Sequence, residues 1–117
     1  MTSRRVVMLK DALSVLAADA SVQLEYLRKL GVPSAIDELA LEYDATAAAA
    51  ESMLDAGEID EQQALCVRNL NDLLGRMSGE TNACLWTVSA LVSAKEWQEV
   101  RARAAKCLRL WNCAQER

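Results

Sequence analysis

No histidine occurs among the 117 residues of this chain. It therefore lacks the side chain that most often serves as general base near neutral pH and as a neutral metal ligand. Serine and cysteine triads of the usual form, HExxH zinc sites and Glu-x-x-His di-iron bundles are excluded, and neither GxGxxG nor GxxxxGK(S/T) is present. Phenylalanine is also missing, and the aromatic set is only Tyr26, Tyr43, Trp86, Trp97 and Trp111, so Leu, Ala and Val must fill the core. One proline, Pro33, and four glycines leave few places to turn. An alanine- and leucine-rich chain with so few breaks favours long helices over short strands. The fold class expected is all-α, in one domain spanning residues 1–117.

No apolar stretch reaches the roughly 18–20 residues needed to cross a bilayer, and Arg4-Arg5 is not followed by an uninterrupted hydrophobic segment with a cleavage site. A cytoplasmic protein with no membrane association is expected. Cys66, Cys84, Cys107 and Cys113 show neither CxxC spacing nor the density of a disulfide-stapled scaffold. Reduced thiols are expected, with Cys113 the exposed one. A four-thiolate zinc site would need closely spaced pairs that are missing, and no cofactor or metal is expected.

One further scarcity is local. Between Lys29 and Arg68 there is no lysine or arginine, while Asp37, Glu38, Glu42, Asp44, Glu51, Asp55, Glu58, Asp60 and Glu61 all fall there. The overall charge of −4 thus conceals a strongly acidic middle between ends that are net basic. Such a map speaks to partners more than to fold.

The apolar pattern then divides the chain. Leu9, Leu13, Leu16, Ala20, Leu24 and Leu27 recur at steps of three and four and predict one long helix from Val6 to Leu30, capped by Thr2 or Ser3 and stopped by Gly31 and Pro33. Ser34 and Asp37 open a second helix with Ile36, Ala40, Tyr43, Ala47, Ala50 and Leu54 inward, ending near Gly57, with Asp44 a possible restart. Asp60 and Gln63 cap a third, whose inner side carries Cys66, Leu70, Leu73 and Met77 and which closes at Ser78-Gly79. Glu80 to Ser93 has no firm period and reads as a helical turn in a long connection, with Thr87 able to cap a short helix. Ser93 and Glu96 form a capping box for the last helix, with Trp97, Val100, Ala104, Cys107, Leu108 and Trp111 inside and Arg103, Lys106 and Arg109 on a basic outer surface. Four such helices with one short helix before the last predict an up-and-down bundle.

Three functional classes are compatible with this pattern. In the first, the protein is a non-enzymatic binding domain whose acidic second helix docks on a basic protein. Asp37, Asp44 and Asp55 share nearly one flank of a straight helix, with Glu38, Glu51 and Glu58 close by. Concentrated carboxylates steer a cationic partner and speed encounter. Trp86, outside the regular stripes, is the candidate exposed anchor. The competing explanation is that the acids are solvated or matched by Arg103, Lys106 and Arg109. In the second class, the pairs Glu38/Glu42, Glu51/Asp55 and Glu58/Glu61 would hold magnesium in a helical nucleotide pyrophosphohydrolase, although the later ExxD of that pattern is missing. In the third, the alanine run 45–50 packs against a second copy in a structural or regulatory dimer. Direct nucleic-acid binding is not supported, because the bases are scattered and not interleaved with aromatics.

Met77-Ser78-Gly79, Leu85-Trp86-Thr87, Ala90-Leu91 and Glu96-Trp97 through Val100-Arg101 resemble the C-terminal half of small bacterial helical proteins, among them immunity proteins that neutralise a toxin. The resemblance implies a short, acidic, helical inhibitor of a basic toxin, and it assigns no individual residue a role.

Overall fold

The computed structural model describes the backbone of residues 3–115 and the side chains of residues 3–111. Among the described residues the protein is all-helical, with 81% helix and no strand. The elements are α1 (Arg4–Ala17), α2 (Ala20–Lys29), α3 (Asp37–Ala47), α4 (Ala50–Asp55), α5 (Glu61–Met77), a 3₁₀ helix (Glu80–Trp86), α6 (Val88–Ser93) and α7 (Lys95–Gln115).

Several boundaries follow from local chemistry. The Ser3 hydroxyl accepts from the Val6 amide at the start of α1, whereas Thr2 lies outside the described residues. At α5, Asp60 Oδ1 accepts from the Gln63 amide at 2.7 Å and Gln63 Oε1 accepts from the Asp60 amide at 2.8 Å, a complete capping box. Thr87 Oγ1 accepts from the Ala90 amide at 3.1 Å and starts α6. Gly57 closes α4 at φ 75°, where the Gly57 amide reaches the Leu54 carbonyl and the Glu58 amide reaches the Met53 carbonyl. This paired closure needs a left-handed residue, which glycine adopts without a Cβ penalty.

The helices enclose one core. α1 lies along α7 and α3, α5 lies along α7, and α4 rests on α5. Leu9, Leu13 and Leu16 of α1, Tyr43 of α3, Met53 of α4 and Trp97, Val100 and Ala104 of α7 are buried together in that core. The Tyr43 hydroxyl, buried with its ring, donates to the Val67 carbonyl at 3.2 Å and so avoids an unpaired polar atom in the interior.

Several expectations require correction. The predicted long first helix is two helices, because Ala18 and Asp19 are extended, with ψ of 157° and 154°. Gln23 occupies the inward position after this break and has no exposed surface. Its Nε2 donates to the carbonyls of Val15 and Leu16 at 3.1 and 3.0 Å, in the last turn of α1, where carbonyls have no helical amide four residues on. Its Oε1 accepts from Arg101 Nη1 at 3.1 Å, which also donates to the Leu91 carbonyl at 3.1 Å. Leu24, assigned to the inner stripe, is only partly buried, the inward position of that turn being taken by Gln23.

The second helix also divides, at Ala48–Ala49 and not at Asp44, and its start at Ile36 has no side-chain cap from Ser34 or any other residue. The long connection is a 3₁₀ helix followed by α6, held because the indoles of Trp86 and Trp97 donate to the Met77 and Leu85 carbonyls at 2.8 and 2.6 Å. Ser93 lies inside the last turn of α6 and its hydroxyl donates to the Ser89 carbonyl at 2.8 Å, so it is not the cap of α7.

An acidic surface on α3 and α4

Three of the elements in the acidic middle begin there, and their positions explain several of its charges. Asp37 and Glu38 occupy the first turn of α3, Glu51 that of α4 and Glu61 that of α5, with Asp60 as the α5 cap. A carboxylate at a helix N-terminus faces the positive end of the macrodipole. That end carries only about half a charge, so two carboxylates at the start of α3 are not cancelled by it.

Glu51 and Glu58 are matched inside the molecule. Glu51 receives Arg68 of α5 in a forked pair, with Nε and Nη2 donating at 2.6 and 2.8 Å. Glu58, placed by the Gly57 turn, accepts from Arg5 Nε at 3.0 Å and from the Ser3 hydroxyl, while Arg5 Nη1 also donates to the Ser52 hydroxyl at 3.0 Å. The Arg5 guanidinium, then the Ser3 hydroxyl, holds the Glu58 carboxyl down at about 2. Glu42 accepts from the Tyr26 hydroxyl, which pushes the Tyr26 phenol up to about 12. Local compensation therefore comes from α1 and α5. Arg103 of α7, expected as a counter-ion, instead pairs with Glu99 at 2.9 Å and donates to the Asn69 carbonyl. With Arg76, Lys106 and Arg109 it lines a separate groove of about 680 Å³ between α5 and α7.

Asp37, Glu38, Asp44 and Asp55 have no side-chain hydrogen bond or ion pair among the described residues. Asp37 and Asp44, two turns apart on α3, keep the shared flank that helical periodicity gives them, and both are exposed. Asp55 is exposed too, but the turn at Ala48–Ala49 separates it from that register.

Trp86 is half-buried. Its ring meets Trp97 edge-on, with centroids 5.3 Å apart, so its main office is to fasten the 3₁₀ helix. One edge remains beside a hollow of about 210 Å³ between α3 and α5, where it is joined by Asp44, Leu41 and Asn71. Two of the proposed partner-binding residues, Asp44 and Trp86, thus border the same depression. Ala47 and Ala50 lie in the core, whereas Ala45 and Ala48 are exposed, so the alanine run is shared between interior and surface.

Among the described residues no three Asp, Glu or Cys side chains converge in a group that would hold a metal ion. The pairs Glu38/Glu42, Glu51/Asp55 and Glu58/Glu61 do not assemble into one centre. Among the same residues no helix is long and apolar enough to cross a membrane. Cys66 and Cys107 are free and buried, and burial raises the Cys107 thiol above its ordinary value. Cys84 is free and exposed, and the side chain of Cys113 lies outside those described.

Sequence reasoning missed Gln23 and Arg101. The available signal was positional: Leu16, Ala20, Gln23 and Leu27 continue the inward period with a polar residue in it. Compared with protein-family profiles, with characterised proteins and with solved structures, the chain has no match.

Proposed function

We propose that the protein is a non-enzymatic binding domain of immunity or inhibitor type, which neutralises a basic protein by docking the acidic surface of α3 and α4 on it. The observation that carries this is the residual charge: after Glu51 and Glu58 are matched by Arg68 and Arg5, Asp37, Glu38, Asp44 and Asp55 still lack counter-ions among the described residues. Unmatched carboxylates of one sign project a field that steers a cationic surface, and a toxin that grips phosphate presents such a surface. Asp37, Glu38 and Asp44 are the primary contacts, with Asp55 flanking and Trp86 offering its exposed edge beside Asp44. Glu51 and Glu58 hold α4 in place. The fold belonging to this reading is a four-membered bundle of α1, α3 with α4, α5 and α7, supported by the adjacency of α1 to α3 and α7 and of α5 to α7 and α4.

The test is affinity purification from the native cell followed by charge reversal. Wild-type protein should retain a basic partner, with association slowing as salt rises. Asp37→Lys, Asp44→Lys and Asp55→Lys together should abolish retention while leaving the helical spectrum intact. Undiminished binding by the triple variant would end this assignment.

A further inference from the structure

Between α1 and α3 the surface opens into a groove of about 490 Å³. Its apolar walls are Met8, Ala12 and Val15 of α1, Tyr26 of α2 and Ala45 of α3. The two alanines keep the floor low. Met8 stands 49% exposed on one ridge. Asp11 and Glu42 border the groove, and among the described residues no lysine or arginine lines it. The Tyr26 hydroxyl fixes the Glu42 carboxylate at this rim. Unbranched methionine adapts to varied apolar shapes, which suits a surface that meets a partner.

We infer that this groove receives an amphipathic helix of the basic partner, with its apolar stripe on Met8, Ala12, Val15 and Ala45 and its lysines or arginines against Asp11 and Glu42. The inference rests on the acidic-docking function and specifies the partner element. A helix is favoured over an extended strand because α1 and α3 offer no open backbone ladder, so a strand would leave its amides and carbonyls unpaired, whereas a helix satisfies its own. A cationic helix is favoured because both bordering charges are carboxylates. A second copy of this chain fits poorly: its basic helical face, on α7, sets Arg103, Lys106 and Arg109 beside Asn69 and Asp72, while the apolar stripe of that helix is buried.

The probe is a fluorescein-labelled leucine–lysine peptide with its leucines on one helical stripe, compared with a peptide of the same composition whose leucines are dispersed. Anisotropy should show the striped peptide binding at least tenfold more tightly. Met8→Glu adds a carboxylate while removing apolar surface, so groove docking and simple charge attraction predict opposite signs. The groove requires affinity to fall more than tenfold, and uncharged Ala45→Gln, which fills the floor, should reproduce the loss. Equal binding of the two peptides, or unchanged or tighter binding to Met8→Glu, overturns the inference. If affinity resists Met8→Glu but is lost in the Asp37/Asp44/Asp55 reversal, the groove falls and the acidic docking surface stands. If Met8→Glu weakens binding and the reversal does not, the groove is occupied and the wider acidic surface is not used.

Discussion

Replacing Gln23 with leucine removes a polar side chain that joins three elements, and its consequence can be worked from the atoms it leaves behind. The Val15 carbonyl retains the Ala18 amide at 3.3 Å, so the Leu16 carbonyl loses most, together with the Arg101 N–H that had Gln23 Oε1 as acceptor. Arg101 is partly buried, and that burial pulls its guanidinium below the ordinary value against the opposing influence of Asp19. Leaving a buried polar group without a partner costs about 1–3 kcal/mol. Two such groups, offset by about 1 kcal/mol for the added apolar burial, give a net loss of about 1–5 kcal/mol. Urea unfolding followed by circular dichroism measures this directly. With a slope of about 1.5 kcal/mol/M the midpoint should fall by about 0.7–3.3 M. Removing the other end as well, in Gln23→Leu with Arg101→Met, should cost less than the two single losses added together, because the pair acts as a unit. A Gln23→Leu midpoint within about 0.3 M of wild type, equivalent to about 0.5 kcal/mol, would refute the assignment of Gln23 as the joint between α1, α2 and α7.

Three further outcomes are expected. Gly57→Ala meets no atom within 4 Å of the new Cβ, so its cost is conformational alone, about 1–2 kcal/mol for a left-handed residue, read from the thermal midpoint. Glu58 falls from 4.5 to about 2 on folding, so the stability it contributes is complete above pH 4.5 and disappears as pH falls through 2. An acid titration of Arg5→Met should therefore converge on wild type by that pH, and a constant gap would contradict the pairing. The Tyr26 phenol, raised to about 12, contributes stability below pH 10 that is lost as pH rises toward 12. Ultraviolet titration of Glu42→Gln should bring a tyrosine transition back toward 10, and an unaltered curve would remove the Tyr26–Glu42 contact.

What composition and period determined was the helical class and most of the inward faces. Low glycine and proline content, with apolar residues at steps of three and four, leaves the chain little else to form, and Leu9, Leu13, Tyr43, Leu70, Trp97 and Ala104 are buried as that spacing requires. Local capping was legible for the same reason: Asp60 with Gln63, and Thr87 before α6, satisfy amides within three residues. Tertiary structure decided where helices break and which charges are spent. Ala18–Asp19 carries no local stop signal, and the chain turns there because Gln23 and Arg101, distant in sequence, satisfy buried carbonyls of α1 and α6. Likewise, periodicity places Asp37 and Asp44 on one flank but is blind to Arg5 reaching Glu58 across the fold. Spacing along a helix is a local property, whereas the pairing of a charge depends on which helix packs beside it.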